Sequence, residues 1–351
     1  MNLRKDNQST IIWPEFPKTE EEVVERLKKT PSLYGSYCRL NGEWRQRFLD
    51  FCQGKKTLPL TYDPFFKRIF HPDIHPDRLS RLISSLLGME VKVVHILPNE
   101  DSLMDGDTLL IMDMLGELED GSLINVEIQK QSYAFPAERI TCYSSDLVMR
   151  QYVRVKGCKG NTFTYRDIKK VYVIVIFEQS MGIFHKMGEH YIHHGETKFD
   201  TGLPLELLQE FYLVALDVFR KIPYHRDRSE CTAWLSLLTT EHLEDAEALV
   251  REYPWLEEIY EEAAMLRQRP EEVLGMFSEA LQILDENTVK YMIEELQKKV
   301  EEKEAAINEK DTVINEKNTI INEQSSALHR ISVENEALKR QLEKLSQNTS
   351  L

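Results

Sequence analysis

The sequence predicts an α/β core followed by an α-helical region and a C-terminal coiled coil. Three observations carry that expectation. Short apolar and β-branched runs at residues 91–97, 109–117, 122–130 and 169–180 alternate with segments of helical periodicity. From about residue 203 onward the pattern reads as helical throughout. Three consecutive seven-residue units, INEKDTV, INEKNTI and INEQSSA, fill positions 307–327.

Residues 18–53 place charged and apolar side chains at helical spacing, with TPSLYGSY (30–37) as the expected break between two short helices. TYDPFFKRIF opens a further helix. Asp63 is its expected N-cap acceptor and Pro64 its first-turn residue. The run DRLSRLISSLLG is helical to Gly88, three strands follow, and FPAERITCYSSDLVMRQY forms a helix opened by Pro136. KKVYVIVIFEQS then reads as a strand buried on both faces. The order helix, three strands in an antiparallel meander, helix, strand, then helices argues an α/β core with an α-helical addition. The expected division is an N-terminal helical segment (1–54), the core (55–200), a helical domain (201–288), a coiled coil (289–345) and a disordered end (346–351).

Composition narrows the function. The formal net charge of the 351 residues is −15, but it is unevenly spread. Residues 1–200 carry 27 Lys and Arg against 28 Asp and Glu, a balance of −1; residues 201–351 carry 17 against 31, a balance of −14. The N-terminal half is therefore compatible with a polyanionic partner. No stretch approaches the ~20 apolar residues of a membrane span, and MNLRKDNQST lacks the apolar run of a signal peptide. Five widely spaced cysteines without a CxxC fit reduced thiols, so a cytoplasmic protein without membrane contact is expected.

The heptad phase extends from Ile293, Leu296 and Val300 to Leu328, Ile331, Asn335, Leu338, Leu342 and Leu345, with Lys303, Lys310, Lys317 and Gln324 interrupting one seam position. A homodimer through this coil is expected, a solvated single helix being the alternative.

The stretch LLIMDMLGELEDGSLINVEIQK (109–130) sets acidic residues inside two strands, where they are disfavoured. With Glu119-Asp120-Gly121 as a three-residue loop and Gly121 left-handed, paired residue numbers sum to 240, and Asp113 lies opposite Glu127. Opposed like charges repel unless a cation sits between them. Two carboxylates at cross-strand distance suit a hard divalent ion such as Mg²⁺. Alternation puts Asn125, Glu127 and Gln129 on one face and Ile124, Val126 and Ile128 on the other. The plainer alternative is the solvent-facing side of an ordinary hairpin.

DPFFKRIF, then LLIMDMLGELEDGSLINVEIQ, then ERITCYSSDLVMRQY, together resemble the PD-(D/E)xK nuclease-like transposases of the recombination-promoting nuclease group over roughly residues 55–260. The resemblance implies a restriction-endonuclease-like core, with Asp113 and Glu127 as metal-binding acids and Gln129 in place of the wider superfamily's lysine. It implies Mg²⁺-dependent hydrolysis of DNA phosphodiesters. A metal held by that pair would acidify a bound water and neutralise charge on the phosphate, while Gln129 supplies geometry without charge. Lys130 points to the opposite face by pleat. Asp63 matches the family's first-helix aspartate, against its reading as a helix cap.

Arg139 and Tyr143 share a helix face; the resemblance places that helix beside the active site, where an arginine could meet phosphate, the alternative being a salt bridge and a packed tyrosine. Lys55, Lys56, Lys67 and Arg68 near the first helix are candidates for the DNA backbone, Lys67 being the one assigned to DNA, against the plainer reading of ordinary surface cations. His190, His193 and His194 have a helical spacing able to hold zinc, but no fourth ligand is evident, and solvent-facing histidines near a turn are the expected reading. Trp234, Trp255 and Phe277 read as core. The leading expectation is a metal-dependent DNA endonuclease of the transposase-like, recombination-promoting type. The alternatives are a catalytically weak nuclease-like scaffold whose coiled coil mediates assembly, and an RNA-directed nuclease.

Overall fold

A computed structural model describes residue 17 and residues 19–97, 114–130, 137–222 and 229–348. The chain divides into two units, Met1–Asn287 and Thr288–Leu351. The first unit is organised by a six-stranded mixed sheet of β1 (Val93–Ile96), β2 (Met114–Leu118), β3 (Leu123–Gln129), β4 (Val171–Phe177), β5 (Ile192–Glu196) and β6 (Gln209–Ala215), in the order β1-β2-β3-β4-β6-β5. β1, β2 and β3 pair antiparallel in succession. β3, β4 and β6 run parallel, and β5 closes the far edge antiparallel to β6.

Parallel β3 and β4 require a crossover, supplied by α6 (Ala137–Lys159). This helix covers one face of the sheet. Leu123, Val171, Val173, Val175 and Phe177 form a core with Ile140, Tyr143 and Leu147 there. The opposite face buries Ile124, Val126, Ile128, Ile174, Ile176 and Val214 against helices from both ends of the unit. Those helices are α1 (Glu20–Lys28), α2 (Pro31–Arg39), α3 (Gly42–Cys52), α4 (Asp63–Phe70) and α5 (Pro76–Leu87), then α8 (Glu230–Thr239), α9 (Leu243–Glu252), α10 (Glu257–Met265) and the first turns of α11 (Pro270–Asn348). A short helix, α7 (Leu216–Phe219), follows β6 directly.

Phe277 packs edge-on against Trp44, Phe48 and Phe65, tying α11 to α3 and α4. Trp234 and Phe277 are fully buried, and Trp255 is half-buried against Trp234. Arg68 and Arg78 both reach Glu262 of α10, at 2.8 and 2.6 Å, so Arg68 is spent on internal packing.

Three expectations change. TPSLYGSY is not a break: Pro31–Arg39 is helix α2, with Thr30 at the N-cap and Pro31 at the first position. Proline fits there because the first helical N–H has no intrahelical partner to lose. The region beyond residue 203 is not wholly helical, since Gln209–Ala215 is strand β6. Its central Phe-Tyr-Leu-Val run is strand-prone, and it pairs in parallel with all seven residues of β4. Asp63 is not the N-cap, which is Tyr62; Asp63 is the first helical residue and pairs with Lys67 at 2.8 Å.

The second unit is helical through residue 348. Among the described residues, no helix is long and apolar enough to cross a membrane.

Candidate active site

The site begins with the turn. β2 ends at Leu118 and β3 begins at Leu123; Gly121 has φ +86°, and its N–H donates to the Leu118 carbonyl at 2.9 Å. A left-handed glycine here costs nothing that a Cβ would add. Asp120 steadies the loop by accepting from the Ser122 N–H at 2.9 Å. The resulting ladder pairs Met114 with Val126, Leu115 with Asn125, Gly116 with Ile124 and Glu117 with Leu123. Each pair sums to 240, the register expected from the sequence. Asp113 lies outside the described residues; in the sequence it directly precedes Met114.

Pleating then sorts the side chains. Asn125, Glu127 and Gln129 lie on the α6 side, level with Val173, Val175 and Phe177 of β4. Glu127 is 0% exposed. The solvent-facing alternative is therefore overturned: α6 roofs this face. The carboxylate is held from its own strand, Oε1 accepting from Asn125 Nδ2 at 3.1 Å and Oε2 from Gln129 Nε2 at 3.3 Å. Asn125, also 0% exposed, turns its amide nitrogen to Glu127. Its Oδ1 is then buried without a hydrogen-bond partner among the described residues. A buried amide oxygen without a donor is costly and uncommon. Beside a buried carboxylate it makes a donor set of hard oxygens, the kind that suits Mg²⁺ or a similar divalent cation.

On the roof, Arg139 and Tyr143 share a face as expected. Arg139 Nε donates to Tyr143 Oη at 2.8 Å, and the guanidinium lies 5.3 Å from the ring centre. Tyr143 is fully buried, while Arg139 is half-buried near the start of α6.

The start of α4 stands at the same end of the sheet. Lys130, the residue after β3, donates to Thr61 Oγ1 at 3.1 Å, two residues before Asp63. Burial pushes the Asp63 carboxyl above its usual range, with the Lys67 ammonium opposing.

Lys130 itself turns to the opposite face, as its pleat position requires. There it pairs with Glu178 at the end of β4 and lies 3.6 Å from the Tyr62 ring centre. Arg47, Lys56, Arg220 and Glu241 line the same cleft. Burial lowers the Lys130 ammonium to about 8 from an ordinary 10.5, with Glu178 opposing and Arg47 and Arg220 assisting.

A lysine whose folded pKa is depressed adds stability above its unfolded pKa and loses it as pH falls through the folded one. Wild-type stability should therefore rise relative to Lys130→Met between about pH 8 and 10, by about 2 kcal/mol. Urea midpoints across that range measure it. A difference independent of pH would show that the amine titrates normally.

The histidine cluster does not form a helical zinc site. His193 and His194 are consecutive residues of β5 and so point to opposite faces. His194 meets Glu210 at 3.2 Å and stacks on Tyr212, while His193 packs against Phe184. Among the described residues, no group of three or more His, Cys, Asp or Glu comes together as a metal site. Lys56 lies 3.6 Å from Glu241.

Asn125 Oδ1 and Glu178 have no role legible in the sequence. Asn125 carried a signal, since its alternation with Glu127 was visible. Glu178 carried none, because its partner comes from another strand.

This combination of fold and buried carboxylate is consistent with a PD-(D/E)XK nuclease fold. The model of the PD-(D/E)XK nuclease family transposases matches residues 60–292, well over half of the chain, and the chain belongs to that family. No curated protein and no solved structure matches it.

Proposed function

We propose that the protein is a metal-dependent deoxyribonuclease of the transposase-like, recombination-promoting type. Asp113 and Glu127 hold a divalent cation, Mg²⁺ by donor chemistry. The observation that carries this reading is the buried oxygen cluster of Glu127 and of Asn125 Oδ1, which has no hydrogen-bond partner among the described residues, one rung from the Met114–Val126 pair. A divalent ion held there supplies positive charge against the phosphate and acidifies water.

The chain's own residues do the rest. Gln129 anchors Glu127 through its amide nitrogen, leaving its oxygen to orient the attacking water. Arg139, braced by Tyr143, meets a phosphate oxygen at the rim of α6. Asp63, with its carboxyl raised by burial, acts as a proton acceptor or metal-side carboxylate at the start of α4, and Lys67 beside it faces the DNA backbone. The C-terminal helix joins two copies of the chain. A catalytically weak scaffold is the second reading, favoured by a glutamine where the wider superfamily carries a charged lysine.

Incubation of purified protein with supercoiled plasmid and Mg²⁺ should yield nicked circles, and EDTA should suppress them. Plasmid that stays supercoiled under every divalent cation would favour the scaffold.

A further inference from the structure

The end of α6 carries a feature that the proposed chemistry does not use. Residues 150–170 contain seven cations (Arg150, Arg154, Lys156, Lys159, Arg166, Lys169 and Lys170) and a single acid, Asp167, in a chain of net charge −15. Three aromatic rings stand among them. Tyr152 and Tyr165 stack with ring centres 6.1 Å apart and planes 13° from parallel. Phe163 meets both edge-on, at 5.6 and 5.5 Å. Tyr165 is 76% exposed. Tyr152 and Phe163 are half-buried beneath it, so the outer face of Tyr165 is left to water.

The local hydrogen bonds hold the cluster in place. Asp167 caps its own turn, accepting from the Thr164 N–H at 2.7 Å, and pairs with Lys159. The one acid of the segment is thus used internally, and its position fixes the turn that presents Tyr165. Arg154 and Lys170 are likewise matched, with Glu117 and Glu210. Lys156 instead donates to Tyr152 Oη at 2.7 Å, with its ammonium 4.9 Å from that ring. Lys156, Arg166 and Lys169 are exposed and form no ion pair among the described residues. The nearby hairpin brings Glu119 and Asp120, of which Asp120 is turned onto Ser122.

An exposed tyrosine stacked on half-buried rings among unneutralised cations matches the chemistry of unpaired nucleic acid: a base lies on the open face of Tyr165 while its phosphate meets the ammonium or guanidinium. Duplex DNA keeps its base faces covered and gives such rings nothing to stack on. We propose that Tyr152, Phe163 and Tyr165, with Lys156, Arg166 and Lys169, form a site for single-stranded DNA. Tyr152 lies nine residues beyond Tyr143 on the same helix, about 13 Å along its axis and about half a turn around it. The site deepens the nuclease reading, on which it rests for its substrate, and it selects DNA with an unpaired segment beside the scissile bond.

The test is binding of a fluorescent oligothymidine to the full-length protein in EDTA, where no cleavage occurs. Tyr165→Ala should weaken binding about 5- to 100-fold, whereas Tyr165→Phe, which keeps the ring, should bind like wild type. Combined Lys156→Ala and Arg166→Ala should reduce the salt slope of binding by about 1.4. Tyr165→Trp fluorescence should be quenched on adding the oligonucleotide. Equal affinity of wild type and Tyr165→Ala would overturn the proposal. So would equal affinity for duplex of the same length, or competition by polyglutamate that is insensitive to Tyr165. Binding that depends on Tyr165 in a protein unable to nick plasmid would sustain the site and remove the nuclease reading. Nicking with binding indifferent to Tyr165 would do the reverse.

Discussion

Replacing Glu127 by alanine or glutamine is expected to lower plasmid nicking by at least about 100-fold, the usual consequence of losing a metal ligand or a positioned catalytic charge. The two substitutions separate chemistry from folding. Alanine removes the acceptor for Asn125 Nδ2 and Gln129 Nε2, leaving two donors under α6. An unmade hydrogen bond in such a place costs about 1–3 kcal/mol. Relief of repulsion with a second carboxylate offsets part of that, so the net change in Tm decides which term is larger. Glutamine keeps the shape and one acceptor oxygen while discarding the charge. Glu127→Gln should therefore melt near wild type and still fail to nick. Asp113→Ala should be equally inactive. Gln129→Ala should lose activity only in part, because it supplies orientation rather than charge. Wild-type nicking by Glu127→Gln would mean that cleavage arises elsewhere or from a contaminant.

The Asn125 amide offers a second reading of the same centre. If its Oδ1 helps to hold the cation, Asn125→Asp should tighten metal binding, because a carboxylate replaces a neutral oxygen at the same position. Isothermal titration with Mn²⁺ reads this directly. Unchanged affinity would assign the amide a purely structural part, orienting Glu127.

The hairpin was legible in the sequence because its signals are local. Glycine after Glu119-Asp120 specifies the left-handed turn, and a side-chain period of two divides Asn125, Glu127 and Gln129 from Ile124, Val126 and Ile128. Lys130 was placed on the opposite face by the same pleat. What closes over each face was not legible. The burial of Glu127 depends on α6 crossing from β3 to β4, and the Lys130–Glu178 pair depends on the parallel register of those strands. Neither follows from any one segment.

β6 was missed for a related reason. QEFYLVA holds the strand-prone Phe211, Tyr212 and Val214, but the run is short and adjoins segments of helical periodicity, and its place between β4 and β5 is what fixes it as a strand. IHHGE in β5 is a polar edge strand with a glycine, whose β signal is weak at any distance from its partner. TPSLYGSY misled in the other direction: proline and glycine mark breaks on average, yet proline at a first helical position begins one.

Truncation after Lys299 is expected to convert a dimer into a monomer, because the helical tail presents an apolar stripe that its own unit does not cover. From Val289 to Leu342 the described apolar side chains, among them Leu296, Val300, Ile307, Ile314, Ile321, Leu328, Ile331 and Leu338, are 43–67% exposed. Hydrophobic residues repeating at three- and four-residue spacing over this length pair with a second helix of the same kind. Asn335 falls on the seam, where a buried asparagine favours two parallel strands in register at some cost in stability. Lys303, Lys310 and Lys317 weaken the middle, so the coil should be firm near 328–345 and looser before it. The first unit has its own core, from Val23 to Ala280, and should keep its melting temperature when the tail is removed. One active site cuts one strand, so the monomer should still nick plasmid while its yield of linear product falls. Sedimentation at micromolar concentration measures the change. Full-length protein that sediments as a monomer there would make the tail a solvated helix, and paired cutting would then require another means of bringing two sites together.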